Sequence, residues 1–303
     1  MNEKTGLISS GAGIARRNLR YIVWFFLLNL FFAWCGTSGL GTHAHGIMDH
    51  SGYSDKLLHG FDLPALVELI NRPDFGPIKS TTAPMMIFAV LFLLANLIFM
   101  PGVLLGYSSD HRISRDEFFR ACGRNLWRFV RLFVMAAIVV GIVCGALAPA
   151  IDALAKAADK TNYERLPFFT QLGGWVVTFL ILNTVRMWFD LAQTDVVLRD
   201  EPAVRKSVAA GFGMARKNFA RLLITYAEIS VVGLAILAGG IVLWNMIVPA
   251  ASVLGAFLVA QVTMLLLLAT RFWQRASAVA FYVKRTAEPV LETAPAQAVV
   301  AAS

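Results

Sequence analysis

Two groups of residues have the types and spacing to do chemistry. The first is His43-Ala44-His45, followed by Asp49, His50, Asp55 and His59. Imidazoles and carboxylates gathered this way are metal-ligand types, and the four histidines make an extracytoplasmic metal site one reading. Histidines at i and i+2 face one side only in an extended segment, however, and the glycines around them fix no site. An ordinary polar loop is the competing reading. The second group is Arg186, Asp190, Glu228 and Arg271, placed within three strongly apolar runs. Isolated charges in lipid are expensive and normally pair or face a water-filled cavity. Their comparable depth predicts a shared polar cluster near the cytosolic side. Such a cluster would bind an anionic headgroup, relay protons or ions, or lock helices together. Against this stands snorkelling, in which Arg186 and Arg271 reach back to the interface and Glu228 only compensates their charge.

The apolar runs that must position these groups dominate the chain. Hydrophobic residues make up 57% and charged residues 15%, with a mean hydropathy of +0.64. A soluble domain carries about 25% charged residues, so the composition points to lipid. The net charge of +8 is not gathered on a polar domain. Basic residues fall at the ends of apolar runs, which reads as helix anchoring and gives no nucleic-acid partner. The three cysteines, Cys35, Cys122 and Cys144, are far apart in or beside apolar runs and suggest inert thiols. No P-loop, dinucleotide fingerprint, HExxH or G-x-S-x-G occurs. The expectation is a protein that is not an enzyme and uses no cofactor.

Taken in order, spans are expected at 21–35, 84–107, 129–148, 168–191, 220–248 and 253 to about 271. Basic-then-apolar beginnings also mark cleaved signal peptides, but the Trp and Phe content of the first run favours a retained helix. A short amphipathic segment is expected around Leu63, Leu66, Val67 and Ile70, ended by Asn71-Arg72-Pro73. Ser114 and Glu117 are spaced as a capping box. Residues 151–167 read as a mixed-charge loop with some helical character. Asp200-Glu201-Pro202 is expected to cap another amphipathic helix, with Val204, Val208, Phe212, Ala215 and Phe219 on one face and Arg205, Lys206, Arg216 and Lys217 opposite. Residues 286–303 read as a disordered tail. Of 27 Lys and Arg residues, only Lys56, Arg72, Lys79, Lys156, Lys160 and Arg165 fall outside when both termini are cytosolic. That asymmetry is the positive-inside pattern.

The fold class is therefore all-α: a polytopic membrane bundle of six transmembrane helices. It reads as three helical hairpins, at about 14–107, 114–194 and 201–285, with cytosolic amphipathic lead-in helices. Before spans one, three and five stand Arg16-Arg17-Asn18-Leu19, Gly123-Arg124-Asn125-Leu126 and Arg216-Lys217-Asn218-Phe219. Arg and aromatic residues are common at any cytosolic helix start, but Asn18, Asn125 and Asn218 in register suggest an internal repeat. Each Asn side chain is expected to bond backbone where a lead-in helix meets its span.

The stretches Phe119 to Leu126 and Phe212 to Phe219, each followed by its span, and Asp200-Glu201-Pro202 carry a resemblance. They resemble poorly characterised bacterial six-helix membrane proteins, among them the membrane-domain family sometimes fused to glycerophosphodiester phosphodiesterases. The resemblance implies a bacterial cytoplasmic-membrane protein without a settled activity. Two further expectations come from the residues. One is a non-catalytic accessory or scaffolding protein whose basic helices touch anionic membrane lipid. The other is a small-solute or ion permease using Arg186, Asp190, Glu228 and Arg271.

Overall fold

A computed structural model describes residues 6–48, 78–160, 163, 165–249 and 252–292. Among them are eight helices and no strand: α1 (Leu7–Arg17), α2 (Leu19–Met48), α3 (Ile78–Ser108), α4 (Arg115–Asp159), α5 (Leu166–Arg199), α6 (Val204–Lys217), α7 (Phe219–Ile247) and α8 (Val253–Glu292). Six of these are long and apolar enough to cross a membrane. The expected amphipathic segment at 63–70, together with His50 and His59, lies outside the described residues. So does 293–303, the end of the expected tail; α8 itself runs to Glu292.

The surface has the polarity of a protein in lipid. Trp24, Ile142, Met246 and Leu254 are among the large apolar side chains left exposed, while Asn125, Asp195, Ser207 and Gln274 are buried. Length, apolarity and this inverted pattern fit a multi-pass integral membrane protein.

Packing divides the chain into two units. The first comprises Met1–Asn18, Leu97–Val231 and Phe272–Ser303, and the second Leu19–Asn96 and Val232–Arg271. In the second unit, a mainly apolar groove of about 530 Å³ is lined by Leu27, Phe31, Trp34, Phe257 and Gln261, among others. Close helix approach there depends on Gly240, where a Cβ would lie 2.8 Å from Thr263 Cγ2.

In the first unit, α4 begins on the capping box that the spacing predicts. Glu117 N–H donates to Ser114 Oγ at 3.2 Å, and Ser114 N–H donates to Glu117 Oε2 at 2.8 Å. The helix then continues through Pro149 to Asp159, so most of the expected loop at 151–167 is helical. Packing accounts for this: Ile151 is buried, and a Cβ on Gly174 of α5 would lie 2.7 Å from it. Where burial rewards continued helix, one proline near its end does not stop it.

Asp200 departs from its expected role. It does not cap α6, whose N-cap is Ala203 without a side-chain cap bond. Instead it ends α5 in the left-handed conformation, φ 54° and ψ 29°. Its carboxylate is engaged by Arg128 at 2.6 Å and Arg124 at 3.3 Å, both on α4. Two guanidinium groups are stronger partners than a single helix-terminal N–H.

The buried face of α6 is also rotated from expectation. Val204, Val208 and Ala215 are buried as expected, but Ser207 and Gly211 complete the face and Phe212 is half exposed. A Cβ on Gly211 would lie 2.9 Å from Ala192 N and 3.1 Å from Trp188 O. Main chain of α5 therefore lies directly against Gly211, and Phe212 is left to pack edge-on to Trp188 at 5.2 Å. Trp188 Nε1 donates to Val208 O at 2.8 Å and fixes the same contact. Gly211→Val should destabilise the protein by about 1–3 kcal/mol, because backbone cannot move aside as a side chain can. Gly213→Ala, with open space around it, should not destabilise. Unfolding of both variants in mild detergent measures the difference.

Candidate functional site

The first unit buries a polar network across three helices, centred on α5. Asp190 and Asp195 stand on that helix, 6% and 2% exposed. Tyr226 Oη of α7 donates to Asp190 Oδ2 at 2.9 Å, and Tyr282 Oη of α8 donates to Asp195 Oδ1 at 2.7 Å. Two arginines flank Asp190: Arg186 Nε at 3.9 Å and Arg275 Nε at 4.0 Å. Both distances are ion-pair contacts beyond hydrogen-bond length. Arg199 Nε lies 3.4 Å from Asp195. One turn toward the apolar core, Gln274 Nε2 donates to Tyr226 O at 3.1 Å and Ser230 Oγ at 2.8 Å. Ser230 Oγ in turn donates to Asn183 Oδ1 at 2.9 Å. Charged and amide groups therefore tie α5, α7 and α8 together, with the Tyr226 main-chain carbonyl as one acceptor.

The four charges singled out in the sequence are divided by this arrangement. Arg186 and Asp190 meet. Glu228 and Arg271 are exposed and have no ion pair among the described residues. Helix geometry explains the split. On α7, Leu222, Thr225, Tyr226 and Ile229 form the buried stripe, and Glu228 points away from it. On α8, Arg271 and Arg275 are four residues apart and share a face, so depth separates them: Arg275, one turn further along, is the one that reaches Asp190. Asp195, Tyr226, Gln274, Arg275 and Tyr282 were not singled out. Counting Thr and Tyr as members of the apolar stripe would have identified Tyr226. His43 and His45 lie on the α2 backbone, and their side chains are outside the described residues. Among the described residues no group of three His, Cys, Asp or Glu side chains is placed to hold a metal.

The lead-in motifs share one local bond. Asn18, Asn125 and Asn218 each donate Nδ2 to the carbonyl four residues earlier: Ile14 O at 3.1 Å, Ala121 O at 3.1 Å and Met214 O at 3.3 Å. At Asn18 and Asn218 the helix breaks, with nearly equal dihedrals of −114°, 31° and −124°, 32°. At Asn125 it does not. That residue is fully buried inside α4, and its Oδ1 accepts from Arg128 at 3.1 Å. The basic neighbours of the first two motifs each reach residues just after a later span. Arg17 donates to Ser109 O at 2.9 Å and lies 3.8 Å from Asp110. Arg124 and Arg128 hold Asp200. In the third motif Arg216 and Lys217 are exposed, with no ion pair among the described residues.

The Arg128 hydrogen bond, with the charges of Arg124 and Arg128 behind it, holds the Asp200 carboxyl below the usual carboxylate range. The native-state value is depressed, so the stabilisation is complete above the ordinary carboxylate pKa. It is lost as pH falls through the lowered value.

Fold and site together define a class: a multi-pass helical membrane protein with a buried, internally paired polar core. No protein-family model, curated protein or solved structure matches the chain.

Three expected outcomes follow from the geometry. Tyr226→Phe should cost about 1–2 kcal/mol, since it removes a buried bond to a carboxylate. Glu228→Gln should fall within about 0.5 kcal/mol of the parent. Denaturant unfolding in detergent compares them. Asp200→Asn tolerates the left-handed backbone but removes the charge. It should flatten the acid limb of a stability–pH curve while leaving unfolding cooperative.

Proposed function

We propose that the chain is a non-catalytic accessory or scaffolding protein of a bacterial cytoplasmic membrane that gathers anionic lipid at its lead-in helices. Both termini are cytosolic in this reading, as the distribution of basic residues favours. The observation that carries it is the surface formed by α6 and the start of α7. Arg205, Lys206, Arg216, Lys217 and Arg221 are all exposed there, without an ion pair among the described residues. Phe212 and Phe219 stand exposed beside them. A basic surface with aromatic side chains, directly preceding a spanning helix, suits an interface with negatively charged headgroups.

Three helical hairpins built on one plan belong to the same proposal. The shared Asn bond supports it, as does the contact of the first two motifs with residues just after spans two and four. The resemblance to six-helix bacterial membrane domains is consistent with such a role. A permease working through Arg186, Asp190, Glu228 and Arg271 is less well supported, because Glu228 and Arg271 are exposed and have no ion pair among the described residues. Metal binding by His43, His45, His50 and His59 concerns side chains that lie outside the described residues.

Each juxtamembrane basic residue contributes about 1 kcal/mol near anionic lipid. Replacing Arg205, Lys206, Arg216 and Lys217 with Gln should therefore reduce anionic lipid retained through purification several-fold, as measured by lipid mass spectrometry. Zwitterionic lipid should be unaffected. An unchanged lipid profile would contradict the role of α6.

A further inference from the structure

We propose that Arg186 and Arg275 form a binding site for a phosphate-class anion, separate from the α6 surface and completed by the ligand's own charge. Two guanidinium groups face a single carboxylate, Asp190, so the cluster holds one more positive than negative charge. Asp195 does not offset the excess: its carboxylate is engaged by Tyr282 and Arg199. Neither Arg186 nor Arg275 is within hydrogen-bond length of Asp190 through Nε, at 3.9 Å and 4.0 Å. Arg275 Nε is sealed from solvent and has no hydrogen-bond partner. Yet the two side chains keep 23% and 21% of their area exposed, so each can be reached from outside the fold. Two guanidinium groups sharing one carboxylate, with a buried Nε left unbonded, are a costly arrangement in lipid unless a further anion joins them. Planar, multiply donating guanidinium groups favour phosphate oxygens over a simple halide.

Depth selects the same chemistry. At 1.5 Å per residue, the 29 residues of α7 span about 44 Å, the full thickness of a bilayer with its headgroups. Tyr226 lies about 10 Å along that helix from Phe219, and Asp190 is bonded to it. With about 7 Å of headgroup region at each end, the pair lies about 3 Å inside the hydrocarbon edge. The long arginine side chains can reach from there toward a lipid phosphate or a free phosphate at the interface.

The test uses the full chain purified in mild detergent and thermal unfolding as the readout. Three probes are added separately: dihexanoyl phosphatidic acid, dihexanoyl phosphatidylcholine and inorganic phosphate. The phosphatidic acid should raise Tm by roughly 3 °C or more at concentrations well above Kd. The phosphatidylcholine should raise it less, because its headgroup carries no net charge. An equal rise with inorganic phosphate identifies a free anion as the ligand; a rise confined to phosphatidic acid identifies a lipid headgroup. Both outcomes support the site. Arg186→Gln/Arg275→Gln should abolish the shift. The milder Arg275→Lys, which keeps the charge and the fold but loses the guanidinium fork, should weaken binding about ten-fold. A full shift in these variants, or no shift with any anion in the parent, overturns the proposal. The α6 Gln variants should retain the shift, which separates this site from the basic surface.

Discussion

The constraint on which the first unit depends is the need to keep Asp190 paired. The Asp190 carboxylate is buried among helices, so its neighbours must compensate it. Tyr226 supplies the direct hydrogen bond, and Arg186 and Arg275 supply opposite charge at ion-pair distance. These groups come from α5, α7 and α8, and satisfying the carboxylate therefore fixes how the three helices face one another. Gln274, Ser230 and Asn183 extend the same linkage along the helices. In lipid, where burying apolar surface gives little drive to helix association, such contacts and close packing determine the arrangement.

Close packing does the corresponding work on α6. Gly211 lets the backbone of α5 approach, Trp188 bonds Val208 O, and Asp200 turns the chain while held by Arg124 and Arg128. These contacts leave the basic face of α6 outward, beside Phe212 and Phe219. The basic surface is thus a consequence of how the opposite face is buried. Its chemistry is electrostatic, and the proposed lipid role follows from the absence of an acid partner for it among the described residues.

Much of the fold was legible because hydropathy and basic-residue placement are strong signals over 20 residues or more. The six long helices and the Ser114–Glu117 cap could be read directly. The Asn bonds at 18, 125 and 218 could be anticipated, since Asn side chains compete for nearby backbone. What was not legible depends on tertiary partners. Asp200 looked like a helix cap until two arginines of α4 were brought to it. Phe212 looked like a buried anchor because Gly211, with no side chain to register as apolar, was hidden from the pattern. The polar cluster was seen in outline through Arg186 and Asp190. Its remaining members differ because a sequence conveys depth only approximately and azimuth not at all: Glu228 faces away from the buried stripe of α7, and Arg275, one turn beyond Arg271 on nearly the same face of α8, is the arginine whose depth brings it to Asp190.

The central claim is that Asp190 and Tyr226 act as one buried unit. A double-mutant cycle of Asp190→Ala and Tyr226→Phe, read by unfolding in mild detergent, tests it most directly. The pair should show a coupling energy of about 1–2 kcal/mol, the double variant losing less than the sum of the single changes. Additivity within about 0.3 kcal/mol would mean that the two side chains do not interact in the folded protein, and would contradict the account.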